Sequence, residues 1–103
     1  KHRHYGTATS SLARVKARLG ELSEAVALYE EAIAIATAVG DELKIAHRNG
    51  ALARIYEQQG AIDEARTRLE TAHRIYLGQL GSDHPKTTRI AARLSELGDM
   101  AAQ

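Results

Sequence analysis

The sequence predicts an all-α protein, a right-handed superhelical stack of antiparallel helix pairs with about two and a half repeats. Three observations support this fold. Alanine supplies 19 of the 103 residues, and Phe, Trp and Cys are absent, which favours helices packed through small side chains. The chain resembles itself at a spacing of 40 residues. Within each copy, apolar residues recur at the three-and-four spacing of one helix face.

The internal repeat appears when the chain is shifted by 40 residues, because nine residues then coincide. The matched residues are Leu12, Ala13, Arg14, Gly20, Glu24, Ala25, Glu30, Ala32 and Ile35, followed by Leu52, Ala53, Arg54, Gly60, Glu64, Ala65, Glu70, Ala72 and Ile75. A third, incomplete copy fits at a spacing of 42 or of 38. We prefer 42, because it places Pro85 in the opening turn of a helix, where proline is tolerated.

The repeats divide a single predicted domain, residues 1–103, into repeat 1 at about 6–40, repeat 2 at about 41–80 and a partial repeat 3 at about 84–103. The chain opens on Lys1 and ends within a repeat, so we expect it to be part of a longer protein. Each repeat is predicted to hold two helices, because a helix pair is the smallest unit that such a stack can add.

The first repeat predicts helices at 7–19 and 21–39, separated by Gly20. Glycine adopts a positive φ without steric cost, and this allows the chain to reverse after a helix. The inward face of the second helix comprises Ala25, Leu28, Tyr29, Ala32 and Ile35.

The second repeat predicts a helix that is capped by Asp41 and ends at Gly60, followed by a helix at 62–77. The inward residues of the first of these helices are Ile45, Ala46, Asn49, Leu52, Ala53 and Tyr56. Those of the second are Ala65, Leu69, Ala72, Ile75 and Tyr76. The alanines at 13, 25, 32, 53, 65 and 72 are predicted to let paired helices approach closely.

The partial third repeat predicts a fifth helix that is capped by Ser82 or Asp83, begins near Pro85 and reaches at least Leu97. Its own partner helix is missing, so we expect part of its apolar face to be uncovered. That face comprises Ile90, Ala91, Leu94, Leu97 and Met100. Either a longer chain completes the repeat, or a second copy covers this face through a two-fold contact between C-terminal ends.

The pattern of Leu12-Ala13, Gly20, Ala25, Tyr29 and Ala32, repeated from Leu52-Ala53 onward, resembles the tetratricopeptide repeat. The long period is similar to that of kinesin light chains, spindle-orientation adaptors and bacterial transcriptional regulators. The resemblance implies an α-solenoid that acts as a scaffold for protein or peptide partners, with the first helices lining a concave groove. The family's early aromatic residue is absent, since Thr9, Asn49 and Ala91 stand there, and the groove residues that bind chaperone tails are mostly missing.

Helical phase and this resemblance together predict the residues that face the groove. The predicted peptide-binding residues are Arg14, Arg18, His47, Arg54, Gln58, Arg89 and Arg93. The three first helices carry a net charge of +4 and the two second helices −4, although the whole chain is only +1. We interpret the groove as a basic channel for acidic segments. The alternative is that its arginines are solvated side chains of an arginine-rich composition, with 10 Arg to 4 Lys.

Other classes of function find little support in the sequence. No catalytic motif occurs, so we do not expect an enzyme, a cofactor or a metal site, and His2 and His4 lack the neighbouring ligands that a metal needs. The small net charge gives no general attraction to nucleic acid, and no apolar run is long enough for a membrane span. We expect a cytoplasmic interaction module. The alternative function is a structural element that self-associates through exposed repeat ends.

Overall fold

The computed structural model describes residues 2–102 of the backbone and the side chains of residues 5–99. This part of the chain forms five α-helices: α1 His2–Arg18, α2 Leu22–Val39, α3 Glu42–Gln58, α4 Ile62–Leu80 and α5 Pro85–Ala102. It contains no strand, so the predicted all-α class is confirmed. The side chains of His2, His4 and Met100 lie outside the described residues.

In the part of the chain that the structure describes, none of the helices combines the length and the apolar character that spanning a bilayer requires.

The turn inside each complete repeat is built in the same way. Gly20 and Gly60 have φ angles of 81° and 78°, in the region that favours glycine. In both turns the residue after the glycine donates its N–H five residues back, from Glu21 to Lys16 O and from Ala61 to Tyr56 O. These bonds satisfy carbonyls that the helix end would otherwise leave open. The predicted positions of both glycines are confirmed.

Of the two predicted helix N-caps, one is confirmed and one is wrong. Asp41 accepts the N–H of Lys44 at 3.3 Å, as predicted. At the start of α5 the cap is His84, whose Nδ1 accepts the N–H of Lys86 at 3.1 Å, rather than Ser82 or Asp83. Pro85 is the first helical residue, as predicted. It has no N–H, so the residue immediately before it is the one placed to cap the first available donor.

Two helix boundaries differ from prediction. The helix α1 begins before Thr7, and α4 runs to Leu80 rather than Leu77. The second extension passes through Gly78 and ends at Gly81, whose φ is 90°. Glycine interrupts a helix only weakly when the following residues pack, and Leu80 packs beside Ala72 and Tyr76.

The predicted alanine contacts lie at the centre of the stack. All six alanines predicted at these contacts are fully buried: Ala13, Ala25, Ala32, Ala53, Ala65 and Ala72. The most extensive packing is between α1 and α2 and between α3 and α4, the two helices of each repeat. Small side chains at these contacts allow the helix axes to lie close together. The helix pairs therefore form as the sequence predicts.

A buried arginine joins the two repeats. Arg48 on α3 is only 4% exposed, and its Nη1 donates to the carbonyl oxygen of Ala32 on α2 at 2.9 Å. Burial lowers the pKa of this guanidinium, while Asp41 acts in the opposite direction. Gly6 on α1 leaves room for it, since a Cβ there would stand 3.2 Å from Nη1 of Arg48 and 3.0 Å from Cγ2 of Ile35. Three helices meet at this point.

The exposed apolar surface lies at the opposite end from the one predicted. In α5, Leu97 is fully buried in a cluster with Ala53, Ala65 and Leu69, and Ile90 and Leu94 pack against that cluster. The expectation of an uncovered apolar face on α5 is therefore wrong for the described side chains. The open side of this helix carries small or polar residues such as Ala91 and Ser95. Large exposed apolar side chains are instead concentrated on α1.

Candidate functional site

The concave side of the stack encloses an open cavity of about 370 Å³. All five helices contribute to it, and the first helices α1, α3 and α5 supply most of its wall. The lining residues are Arg14, Tyr29, Ala46, His47, Gly50, Ala51, Arg54, Tyr76, Lys86, Arg89 and Ile90. A cavity of this size lies within the range of ligand sites in proteins.

Helix α3 forms the centre of the cavity because its lining residues share one helical face. These residues are three or four positions apart from one turn to the next, so they lie above one another along the groove. They include His47, Gly50, Ala51 and Arg54. Gly50 and Ala51 keep the middle of this face low. A Cβ at Gly50 would stand 3.5 Å from Cδ1 of Ile90 on α5, which is ordinary contact distance. The larger side chains of His47 and Arg54 stand at either end of this shallow floor.

The electrostatic character of the cavity is set by four cations, Arg14, Arg54, Lys86 and Arg89. No acidic residue lines the cavity. Among the side chains that the structure describes, none of these four forms an ion pair. Of the eight other cations among the described side chains, four form ion pairs and four, including Arg18 and Arg74, do not. The groove differs in bringing four unpaired cations to one cavity that no acidic residue lines.

The surroundings of the groove also affect His47. Its pKa is lowered, first because surrounding protein atoms remove water from the imidazolium, and then because Lys86, Arg48, Arg14 and Arg54 repel its positive charge. The imidazole is exposed all the same. Three of these four cations, Lys86, Arg14 and Arg54, also line the cavity, so the charges that would attract an anion help to keep this histidine neutral.

Two tyrosines form the deeper part of the wall. The side chains of Tyr29 and Tyr76 are 7% and 4% exposed, and both line the cavity. Burial raises the pKa of each phenol, while nearby arginines oppose the shift, Arg14 and Arg54 for Tyr29 and Arg89 for Tyr76. Both phenols therefore remain neutral donors at physiological pH. Each supplies one O–H to a groove already rich in N–H donors.

The structure brings together four of the seven residues predicted for the groove. Arg14, His47, Arg54 and Arg89 line the cavity, whereas Arg18, Gln58 and Arg93 do not. Arg93 instead binds the carboxylates of Glu57 and Glu96. These three residues lie one turn further along their helices than a lining residue. The cavity therefore ends within one turn of Arg14, Arg54 and Arg89.

Lys86, Tyr29 and Tyr76 are groove residues that the sequence prediction omitted. Lys86 precedes Arg89 by three residues and shares its helical face, so helical phase alone could have identified it. The tyrosines were assigned to the core, which is correct for their rings. Whether a buried ring also reaches a cavity depends on how five helices curve together, and a single helix pattern does not contain that information.

The negative charge predicted for the second helices lies on α2, which has no lysine or arginine, whereas the charges of α4 balance. On α2, Glu24 binds Lys16 at 3.2 Å, and Glu31 accepts the hydroxyl of Tyr5 at 3.0 Å. Glu30 lies 3.9 Å from Arg68 and accepts the hydroxyl of Tyr56 at 3.4 Å. These carboxylates hold neighbouring helices together on surfaces other than the groove. Among the described side chains, no group of three or more His, Asp or Glu residues could hold a metal ion.

Comparisons with known proteins agree with this architecture. A family model described as tetratricopeptide repeat matches residues 6–41 and 50–86. The crystal structure of BtubC (BKLC) from P. vanneervenii is similar, with a TM-score of 0.85 and 23% sequence identity. That match covers 94% of this chain and 39% of the BtubC chain, so it shows a shared fold over about two fifths of the larger protein. Comparison with curated proteins gives no match.

Proposed function

Because this chain belongs to the tetratricopeptide repeat family, whose members are generally scaffolds for protein–protein interaction, we propose that its concave groove binds an acidic peptide segment of a partner protein. The partner's carboxylates would meet the cationic wall of the groove. The family relationship supports a protein partner. The preference for acidic segments rests on the side chains of the groove.

The observation that carries this proposal is that four unpaired cations line one cavity that has no acidic lining residue. Lys16 and Arg93 each bind two carboxylates, and Arg66 and Arg68 bind one. The four cations that line the groove bind none among the described side chains. A folded protein with nearly equal numbers of acidic and basic residues has enough carboxylates to pair them. Leaving these four open to solvent favours an external anion as their partner.

The expected affinity is modest and sensitive to salt. An exposed ion pair contributes about 0.2 to 1 kcal/mol, so four pairs give at most a few kcal/mol between the groove and its ligand. Screening weakens such pairs as the ionic strength rises. Hydrogen bonds to the hydroxyls of Tyr29 and Tyr76 are less affected by salt, and they favour carboxylates that reach the deeper wall.

The test is the substitution Arg54→Glu, with binding of a library of acidic peptides measured at low and at physiological salt. Arg54 is exposed and forms no ion pair among the described side chains, so its reversal leaves the melting temperature nearly unchanged. We expect weaker binding of acidic peptides, with the largest difference from the parent at low salt.

The matched control is Arg74→Glu, because Arg74 is another exposed arginine, on α4, outside the groove. It makes the same change in net charge, so a general electrostatic effect would weaken both variants equally. Loss of binding in the groove variant alone supports the proposal. Equal binding by the parent and Arg54→Glu would mean that the groove arginines are only solvated side chains.

A further inference from the structure

Two tyrosines of the groove have hydroxyl groups without a hydrogen-bond partner. Tyr29 and Tyr76 are more than nine-tenths buried and both line the cavity, yet neither hydroxyl forms a hydrogen bond with the residues that the structure describes. The two tyrosines outside the groove differ, because Tyr5 and Tyr56 each donate to a glutamate of α2, at 3.0 Å and 3.4 Å. The groove thus holds two O–H donors that are open to a ligand.

The polar side chains of the cavity wall are almost all donors. Three guanidinium groups, one ammonium group and two phenols line it, and the described lining contains no Asp, Glu, Asn, Gln, Ser or Thr. The only acceptors among these side chains are the imidazole of His47 and the phenol oxygens. An extended peptide backbone presents N–H groups as well as carbonyls, so its donors would find few partners there. The wall therefore favours an anionic side chain whose polar atoms are acceptors.

The donors form two groups, one around each tyrosine. Arg14 of α1 and Arg54 of α3 lie close enough to Tyr29 to oppose the rise in the pKa of its phenol, and Arg89 of α5 acts in the same way on Tyr76. The group around Tyr29 thus combines two guanidiniums with one hydroxyl. Each guanidinium presents a planar fork of N–H donors that can bind two oxygens at once.

We propose that Arg14, Arg54 and the hydroxyl of Tyr29 bind the phosphoryl group of a phosphorylated side chain in the acidic segment. This inference rests on the function proposed above, since it names the group that enters the groove most deeply. A phosphoryl group carries a charge of about −1.5 to −2 and three acceptor oxygens, so it matches two cations and three donor groups better than a single carboxylate does. Lys86 and Arg89 remain for carboxylates beside the phosphorylated residue.

The test compares three labelled peptides in which glycine and aspartate alternate around one central residue, which is phosphoserine, glutamate or serine. Fluorescence anisotropy with the intact protein measures the three affinities. We expect the phosphoserine peptide to bind about tenfold or more tightly than the glutamate peptide. Inorganic phosphate, added as a competitor, should displace the phosphopeptide only far above the peptide's dissociation constant, because the flanking aspartates add contacts of their own.

Variants locate the phosphoryl group. Tyr29→Phe removes only a hydroxyl without a partner, so a melting temperature close to that of the parent is expected. Arg54→Lys keeps the positive charge but removes the fork that binds two oxygens. We expect each variant to reduce the preference for phosphoserine over glutamate by about threefold or more. The matched controls outside the groove, Tyr56→Phe and Arg74→Lys, should leave this preference unchanged.

Phosphorus NMR provides a readout that a purely structural role of these residues would not move. The second ionisation of free phosphoserine occurs at about pH 6. Neighbouring cations favour the dianion, so this ionisation should shift to lower pH when the peptide binds the parent. We expect a smaller shift with Arg54→Lys.

Four results would overturn this inference. Equal binding of the phosphoserine and glutamate peptides would do so while leaving the binding of acidic segments in place. A phosphoserine preference that Arg54→Lys and Tyr29→Phe leave intact would place the phosphoryl group elsewhere. Displacement by inorganic phosphate at the peptide's own dissociation constant would make a free phosphate compound the ligand. Binding of neither anionic peptide would contradict the proposed function and, with it, this inference.

Discussion

Helices α1 and α3 occupy the same position in successive repeats, yet they differ in what surrounds them. Leu12 is 48% exposed and its counterpart Leu52 is fully buried, and Val15 and Ile55 differ in the same way. Ala13 and Ala53, in contrast, are both fully buried. The alanine at the contact with each helix's own partner is therefore equally buried in the two repeats. The difference in burial lies at positions that a preceding repeat covers in α3.

This difference separates two sources of stability in the stack. The contact within a helix pair is complete in each repeat, because both of its helices are present. The contact between repeats exists only where a neighbour is supplied, as expected for proteins whose repeats bury apolar faces against one another. The free energy that an apolar residue contributes to folding therefore depends on whether a neighbouring repeat covers it.

The largest expected effect compares Leu52→Ala with Leu12→Ala. Removing a fully buried leucine should lower the free energy of unfolding by about 2 to 5 kcal/mol, since both the transfer and the cavity contributions are lost. Removing the half-exposed Leu12 should cost less than about 1 kcal/mol. Urea denaturation followed by circular dichroism measures both. Equal costs for the two variants would show that α1 is covered in solution.

A second pair of substitutions tests the part of the comparison in which the repeats agree. Ala25→Leu and Ala65→Leu each overfill a contact within one helix pair, and each should cost about 1 to 3 kcal/mol. Because both alanines are fully buried, we expect the two costs to be similar. Thermal melts of the two variants beside Ala27→Leu, at an exposed alanine of α2, measure them. If either variant melted at the same temperature as the parent, that result would contradict the assignment of its alanine to the helix contact.

The smallest expected effect concerns His47, whose counterpart in the first repeat is Thr7. The folded state lowers the pKa of His47, so the folded protein binds fewer protons than the unfolded chain. The folded protein is therefore destabilised progressively, relative to the unfolded chain, as the pH falls below the unfolded-state pKa of about 6.5. His47→Thr removes this destabilisation. The stability of the variant relative to the parent should rise between pH 7.5 and pH 5 by about a few tenths of a kcal/mol at most, as measured by urea denaturation at each pH. A constant difference across that range would contradict the expectation.

The sequence was sufficient to predict the helix pairs because their signals are local. Alanine spacing, Gly20, Gly60 and the cap at Asp41 each act within a few residues, and the structure confirms them. The distribution of exposed apolar surface could not be predicted in the same way. The missing partner of α5 suggested an apolar open face, but the described large apolar side chains, Ile90, Leu94 and Leu97, all pack against the helices that are present.

The groove was predictable in part for a related reason. Helical phase placed Arg14, His47, Arg54 and Arg89 on the correct faces, and the structure brings these four together. The extent of the cavity along each helix depends on the curvature of the whole stack, so Arg18, Gln58 and Arg93 fell outside it. Arg93 has an additional reason, because Glu57 on the neighbouring helix binds it. The sequence contains both residues but does not show that they are neighbours.

The buried guanidinium of Arg48 limits how the two repeats can be rearranged. Its bond to the Ala32 carbonyl needs a helix on the N-terminal side, and its volume needs the missing side chain of Gly6. A tandem array made by duplicating the second repeat would place Ala46 where Gly6 now stands, and its added methyl group would crowd each internal arginine. Each copy of such an array would then need the arginine or the neighbouring isoleucine to shift by a few tenths of an ångström, unless glycine is kept at that position. The repeats are alike in fold, but they are not interchangeable modules.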